Sequence, residues 1–147
     1  NLFIGTIALT FNPTSEWKPA ALLARSGAGA RFIQTQLCFD TDVLRRYVGR
    51  LSAAKLTHRV HVIVSLGTLP SADTARWLRK HLRGSVMPKA VIKRMEQARD
   101  PEQEGVNICA ELLQQVAEIP GVDGANLLTP GELETVPAAI RASGLRD

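Results

Sequence analysis

The run Arg59–Leu66 carries Val60, Val62, Ile63 and Val64 almost without interruption. A β-branched stretch of this kind suits a strand covered on both faces, as in a parallel sheet. Parallel neighbours cannot be joined by a tight turn. Each needs a crossover of a dozen or more residues, usually containing a helix. The rest of the chain supplies that alternation. Strand-like runs are expected at Leu2–Leu9, Arg31–Phe39 and Asp123–Leu128 as well, each followed by a segment with helical spacing.

The helical segments have legible ends. Trp17 to Ser26 reads as a helix stopped by Gly27 and Gly29. Asp40 or Thr41 caps a helix through about Ala54, with Val43, Leu44, Tyr47, Val48 and Leu51 on its apolar side. Ser71 caps one ending near Leu82, and Pro88 opens another through about Ala98. Asp100, Pro101 and Gln103 form a start signal with a capping box, followed by the stripe Val106, Cys109, Leu112, Leu113 and Val116. A last helix is expected from about Gly131 to Ala142, with Gly144 beyond it.

The pattern is β-α four times over in one domain, residues 1–147. An open doubly wound sheet and a β/α barrel both accept it. No GxGxxG loop follows the first strand, which disfavours the dinucleotide fold. The fold expected is α/β: four β/α units, the carboxy-terminal half of a TIM-type (β/α)8 barrel. Four strands cannot close such a barrel, and two parallel edges stay open. The chain is therefore expected to be an excerpt of something longer, to pair as a homodimer, or to meet another chain supplying the missing half. A first residue Asn1 followed at once by apolar residues agrees with an excerpt.

Bulk properties exclude several classes. No apolar run approaches the roughly 20 residues of a membrane span. The opening NLFIGTIALTF lacks the basic start and cleavage site of a signal peptide, so a cytoplasmic setting is expected. Net charge is +4, but Arg45, Arg46 and Arg50, and again Arg76, Arg79, Lys80 and Arg83, fall on polar helix faces and read as solvated. Aromatics are only 5% of the chain, which leaves little for base stacking, and no nucleic-acid partner is expected. Cys38 and Cys109 lie far apart without metal-ligand spacing and read as reduced and buried. His58 and His61 would fall on opposite faces of a strand, and no metal site is expected. Trp17 and Trp77 are read as helix residues packed on the barrel exterior.

The second strand carries the most informative residues. Phe32, Gln34 and Gln36 share one face. Gln36 lies near the strand's carboxyl end, where β/α barrels build their sites. Its amide offers a donor and an acceptor to a flat heterocycle. An internal hydrogen bond is the alternative. Thr68, in the GTLP loop, is a ligand candidate or a turn former. Asp40 and Asp42 are acid–base candidates, with helix capping as the alternative.

The segment AGARFIQTQLCFD, residues 28–40, resembles the methylenetetrahydrofolate reductase segment in which an Ala-Gly-Ala turn leads into a strand ending Thr-Gln-x-x-Phe-Asp. VIVSLGTLPS, DPEQEGVNICAELLQQV and GVDGANLLTPGELETVPAAIRASGL resemble further family segments in order and spacing. The resemblance implies reduction of 5,10-methylenetetrahydrofolate to 5-methyltetrahydrofolate, with FAD carrying hydride from NAD(P)H to the reduced folate. Under it, Gln36 contacts the pterin beside the flavin, and Arg25 aligns with a Lys that meets flavin phosphate. The chain departs from the family where TIALTFNP replaces a Pro-Glu-x-His stretch, and an Arg after the last strand is lost near Gly131. The family's acidic catalytic groups belong to the other half of the barrel. Those departures keep open a non-catalytic partner subunit or accessory module of one-carbon metabolism. A more distant reading is another β/α-barrel enzyme with a phosphate-bearing substrate.

Overall fold

The computed structural model describes residues 2–145. Four strands form one parallel sheet: β1 (Gly5–Ala8), β2 (Phe32–Thr35), β3 (His61–Gly67) and β4 (Gly124–Leu128). Their order is β1-β2-β3-β4, so each strand lies beside the next in sequence. Right-handed crossovers in an unreversed order place all connecting helices on one side of a sheet. Burial shows that side. Ile33 and Thr35 of β2 and Val62, Val64 and Leu66 of β3 are sealed under helices, while Ile7 and Ile63 on the opposite face are not. A doubly wound sheet would be covered on both faces. This arrangement is half of a TIM-type β/α barrel, and its bare face is the barrel interior.

Six helices accompany the sheet: α1 (Ala20–Gly27), α2 (Thr41–Ala53), α3 (Ala72–His81), α4 (Lys89–Gln97), α5 (Pro101–Ala117) and α6 (Thr135–Ser143). No described helix is long and apolar enough to cross a membrane. α2 is capped by Asp40, whose Oδ1 accepts from the amides of Asp42 and Val43 at 3.0 Å each. It buries Leu44, Tyr47, Val48 and Leu51 against the sheet. Ser71 Oγ caps α3 by accepting from Thr74 N–H.

Several boundaries differ from those read in the sequence. The first strand is confined to Gly5–Ala8 and the second to Phe32–Thr35, both shorter than the runs read at Leu2–Leu9 and Arg31–Phe39. The first helix begins at Ala20 rather than Trp17. Lys18 precedes Pro19, and the residue before proline is pushed out of the helical region. Trp17 therefore sits in the loop, stacked on Tyr47 at 5.4 Å and meeting Phe11 edge-on at 4.9 Å. Trp77 does lie in a helix, but it is 56% exposed and leans on His81 rather than on the barrel wall. His58 falls in a short 3-10 turn, outside the strand. Only half of the predicted capping box forms at α5. Asp100 accepts from Gln103 N–H, but the Gln103 amide turns to Asn107 instead of back to the cap. The last helix starts at Thr135, four residues later than expected.

α5 is the crossover proper between β3 and β4. Near its start Gly105 lies directly against the loop that leaves β3. A Cβ placed on Gly105 would stand 1.8 Å from the Leu69 carbonyl oxygen and 2.7 Å from its carbonyl carbon. Backbone cannot swing aside as a side chain can. Gly105→Ala is expected to destabilise the chain by about 3 kcal/mol or more, the upper end of overpacking costs. Urea unfolding followed by circular dichroism measures it, and an unchanged midpoint would refute the contact.

Candidate functional site at the carboxyl end of the sheet

Strand β2 does not run straight to its end. The register pairs Phe32, Ile33 and Gln34 with His61, Val62 and Ile63, and His61 N–H donates to Arg31 O at 2.9 Å. Continuing that alternation, Ser65 N–H would donate to Thr35 O, and Leu37 N–H to Ser65 O. Neither bond forms. Ser65 N–H donates instead to the Thr35 hydroxyl at 3.0 Å. The Ser65 carbonyl takes Cys38 N–H at 3.2 Å, one residue further along. Leu37 N–H donates to Gln36 Oε1 at 3.0 Å. One extra residue has been inserted, which is a β-bulge in a parallel pair. A bulge orphans backbone groups, and buried orphans are costly. Here the side chains of the adjacent Thr35 and Gln36 take up the slack.

The bulge fixes Gln36. Its backbone N–H still donates to Ala8 O at 3.0 Å, so the residue stays in place toward β1. It alternates with the sealed Thr35 and stands half-buried on the bare face, in line with Gln34. Its side-chain oxygen is spent on Leu37. Its amino group has no partner among the described residues. The same level of this face carries Leu9, 43% exposed, and the facing pair Ser65 and Asn126 of β3 and β4, of which Ser65 is buried and Asn126 half-buried. Asn126 Nδ2 donates to Ser65 Oγ at 3.4 Å. Sequence reasoning missed Ser65 and Asn126. Their signal was a lone hydroxyl ending the VIVS run and a lone amide within GANLL, but the face they share emerges only from the register.

Thr68 sits at the end of β3 and is 2% exposed. Its hydroxyl lies 2.8 Å from those of both Thr129 and Thr135, and its N–H donates to Leu128 O at 3.2 Å. The three threonines tie the loops after β3 and β4 into one block. Arg25 is exposed on α1, at the open edge of β1. Its Nη1 donates to Thr6 Oγ1 at 3.2 Å and to Ile7 O at 3.1 Å. Beside it a cavity of about 330 Å3 is bounded by Ile7, Leu9, Trp17, Lys18 and Tyr47. Asp40 is occupied as a cap, and Asp42 is exposed in the first turn of α2. Among the described residues no group of three or more His, Cys, Asp or Glu side chains is placed to hold a metal. Cys38 and Cys109 are both buried free thiols; burial raises both, Cys109 to about 11.

The methylenetetrahydrofolate reductase family profile matches residues 12–140, and the chain belongs to that family. Comparison with curated proteins finds no match. Among solved structures, the chain is similar to an uncharacterised protein from Clostridium thermocellum that binds two copies of 5-methyl-5,6,7,8-tetrahydrofolic acid. The two share 14% identity with a TM-score of 0.58. The likeness covers 84% of this chain and 46% of the other, so this chain spans about half the length of its neighbour. At that identity the likeness establishes the fold.

Thr35→Val keeps the shape of the side chain and removes the acceptor for Ser65 N–H. It is expected to cost about 1–3 kcal/mol, the usual penalty for stranding a buried donor. Denaturant unfolding reads the loss, and the Ser65 amide should gain faster hydrogen exchange than its neighbours.

Proposed function

We propose that this chain forms the folate-facing half of a flavin-dependent reductase that converts 5,10-methylenetetrahydrofolate to 5-methyltetrahydrofolate. The observation that carries the reading is the aim of Gln36. With its oxygen held by Leu37 N–H, its amino group is left to face a flat ring on the bare side of the sheet. Asn126, resting on the buried Ser65 hydroxyl, extends the same polar row toward β4. Family membership and a folate-binding structural neighbour support the choice of ligand.

Each residue has a limited task in this proposal. Gln36 binds and orients the pterin. Thr68 acts through the block it forms with Thr129 and Thr135, holding two mouth loops beside the ligand. Arg25 fits a flavin phosphate: only its Nη1 is engaged, and a guanidinium carries five donors. Lys18 adds a second cation to the same cavity at the β1 edge. FAD, reduced by NAD(P)H, would supply the hydride, and the protein's own part is ring binding, orientation and exclusion of water.

A second reading keeps the fold and drops the catalysis: a partner subunit or accessory module of one-carbon metabolism. The apolar side chains at the β1 end favour it. Ile7 is 66% exposed, and Leu9 and Phe11 are over 40% exposed. They suit contact with another protein surface better than contact with a polar cofactor. On either reading the open edges of β1 and β4 call for the other half of the barrel, from the same polypeptide, a second copy or a companion chain.

Gln36→Glu separates the structural and ligand roles, because a carboxylate still accepts from Leu37 N–H but donates nothing. Stability should hold while affinity for 5-methyltetrahydrofolate falls roughly tenfold or more, the loss of one well-formed hydrogen bond to a buried partner. Calorimetric titration of the full-length protein measures it. Unchanged affinity would remove Gln36 from the site. Flavin absorbance that bleaches on addition of NAD(P)H is expected of the reductase. A colourless protein that ignores added FAD but binds the folate would select the accessory reading.

A further inference from the structure

The bare face of the sheet is built in layers, one for every second residue of its strands. The lowest layer is an aromatic floor. Gly5 and Phe32 are register partners, and the Phe32 ring lies over Gly5. A Cβ added at Gly5 would stand 2.1 Å from that ring, so the missing side chain is what lets the ring lie there. Phe3 stacks on Phe32 with ring centroids 5.4 Å apart. The next layer up holds Ile7, Gln34 and Ile63, again register partners. Gln36 stands one layer above, at the mouth.

Packing does not explain Gln34. Layers of a β/α barrel are filled chiefly by branched apolar residues, and both of its neighbours are isoleucines. It alternates with the sealed Ile33 and Thr35, so its half-buried side chain belongs to the bare face. Neither half of its amide has a hydrogen-bond partner among the described residues. Closing the barrel would bury that amide further, and a buried amide without partners costs free energy. Gln36 differs in kind. Its oxygen is committed to Leu37 N–H, which leaves it a donor only. Gln34 keeps a donor and an acceptor side by side.

We infer that Gln34 reads the lactam edge, an adjacent N–H and C=O, of a fused heterocycle that enters from the mouth and stops above the Phe32 floor. The inference deepens the proposed function and rests on it. A primary amide with both halves available accepts from the lactam N–H and donates to the carbonyl, closing a cyclic pair of hydrogen bonds. The carbonyl has a second lone pair, and the Gln36 amino group is placed to donate to it from about 7 Å further along the strand, two residues of rise. Two amides in successive layers thereby fix both the depth of the ring and which edge points down. A reduced pterin and an isoalloxazine both carry this edge, at N3–H and C4=O.

The test uses the full-length protein and N3-methylated ligands, because a methyl on that nitrogen removes the lactam donor and leaves the rest of the ring. 5-Methyltetrahydrofolate and FAD are each compared with their N3-methyl counterparts by calorimetric titration. The variant is Gln34→Leu, which fills similar space without polar atoms. One of the two parents is expected to bind about thirtyfold more tightly than its methylated form, the worth of two hydrogen bonds. A penalty in the folate arm names the pterin as the ring read by Gln34, and a penalty in the flavin arm names the isoalloxazine. In Gln34→Leu that parent should weaken by a similar factor and the penalty for methylation should disappear. The unfolding midpoint of the ligand-free variant should hold or rise, since an unsatisfied amide has been removed. A lower midpoint with unchanged affinity for both parents would assign Gln34 to a bond within the barrel and overturn the inference. Indifference to methylation in both arms, or a penalty that survives the variant, overturns it too. The two proposals fail separately. Folate binding weakened by Gln36→Glu but indifferent to N3-methylation and to Gln34→Leu keeps the folate reading and discards Gln34. Lumazine, a bare bicyclic lactam, held by the unaltered protein and released by Gln34→Leu, without affinity for the folate, does the reverse. Binding of none of the three overturns both.

Discussion

One constraint governs the molecule: parallel strands laid down in unreversed order, with right-handed connections, leave one face of the sheet uncovered. The fully buried apolar core lies on the other side. Ile33, Val62, Val64 and Leu66 are sealed there beneath α2 and α5. The uncovered face cannot be a hydrophobic core in a four-stranded piece, and its composition reflects this. Gln34, Gln36, Ser65 and Asn126 alternate there with apolar residues. In a closed barrel such a face is interior, and polar groups on it near the carboxyl ends of strands are free to meet a ligand.

The second organising feature is local. A single additional residue at the end of β2 breaks the ladder, and the adjacent threonine and glutamine repair it. The repair explains why those two residue types stand together in a strand otherwise made of bulky residues. It also places a structural duty on the oxygen of the Gln36 amide, whose amino group has no partner among the described residues. The same bulge brings Leu37 O to Val86, which anchors the α3–α4 excursion. One backbone irregularity thereby positions a side chain, a loop and a helical pair.

Much of the fold was legible in the residues. The near-continuous Val and Ile run of β3 announced a parallel sheet, and Asp40, Ser71 and Asp100 marked helix starts that the structure repeats. The absence of a glycine-rich loop pointed away from the dinucleotide fold, and the strand order bears this out. Boundaries went astray where a neighbour, rather than local preference, decides the end. β2 stops at Thr35 because the ladder with β3 breaks there, and Trp17 lies outside α1 because Pro19 bars the residue before it. The site was legible in part. Gln36 stood out as an amide on a buried strand, and its place at the mouth follows from alternation alone. Ser65 and Asn126 did not stand out, because their kinship depends on the register between strands far apart in sequence.

The contact between Gly105 and Leu69 bears on how the mouth can move. Helix and loop touch backbone to backbone, with no flexible side chain between them to absorb displacement. The loop is joined in turn to the loop after β4 through the threonine hydroxyls, and α5 is joined to α4 through Arg94. Any closure of this rim over a guest would have to travel as a rigid plate carrying two helices and two loops together, in the manner of a hinged shutter rather than a folding flap.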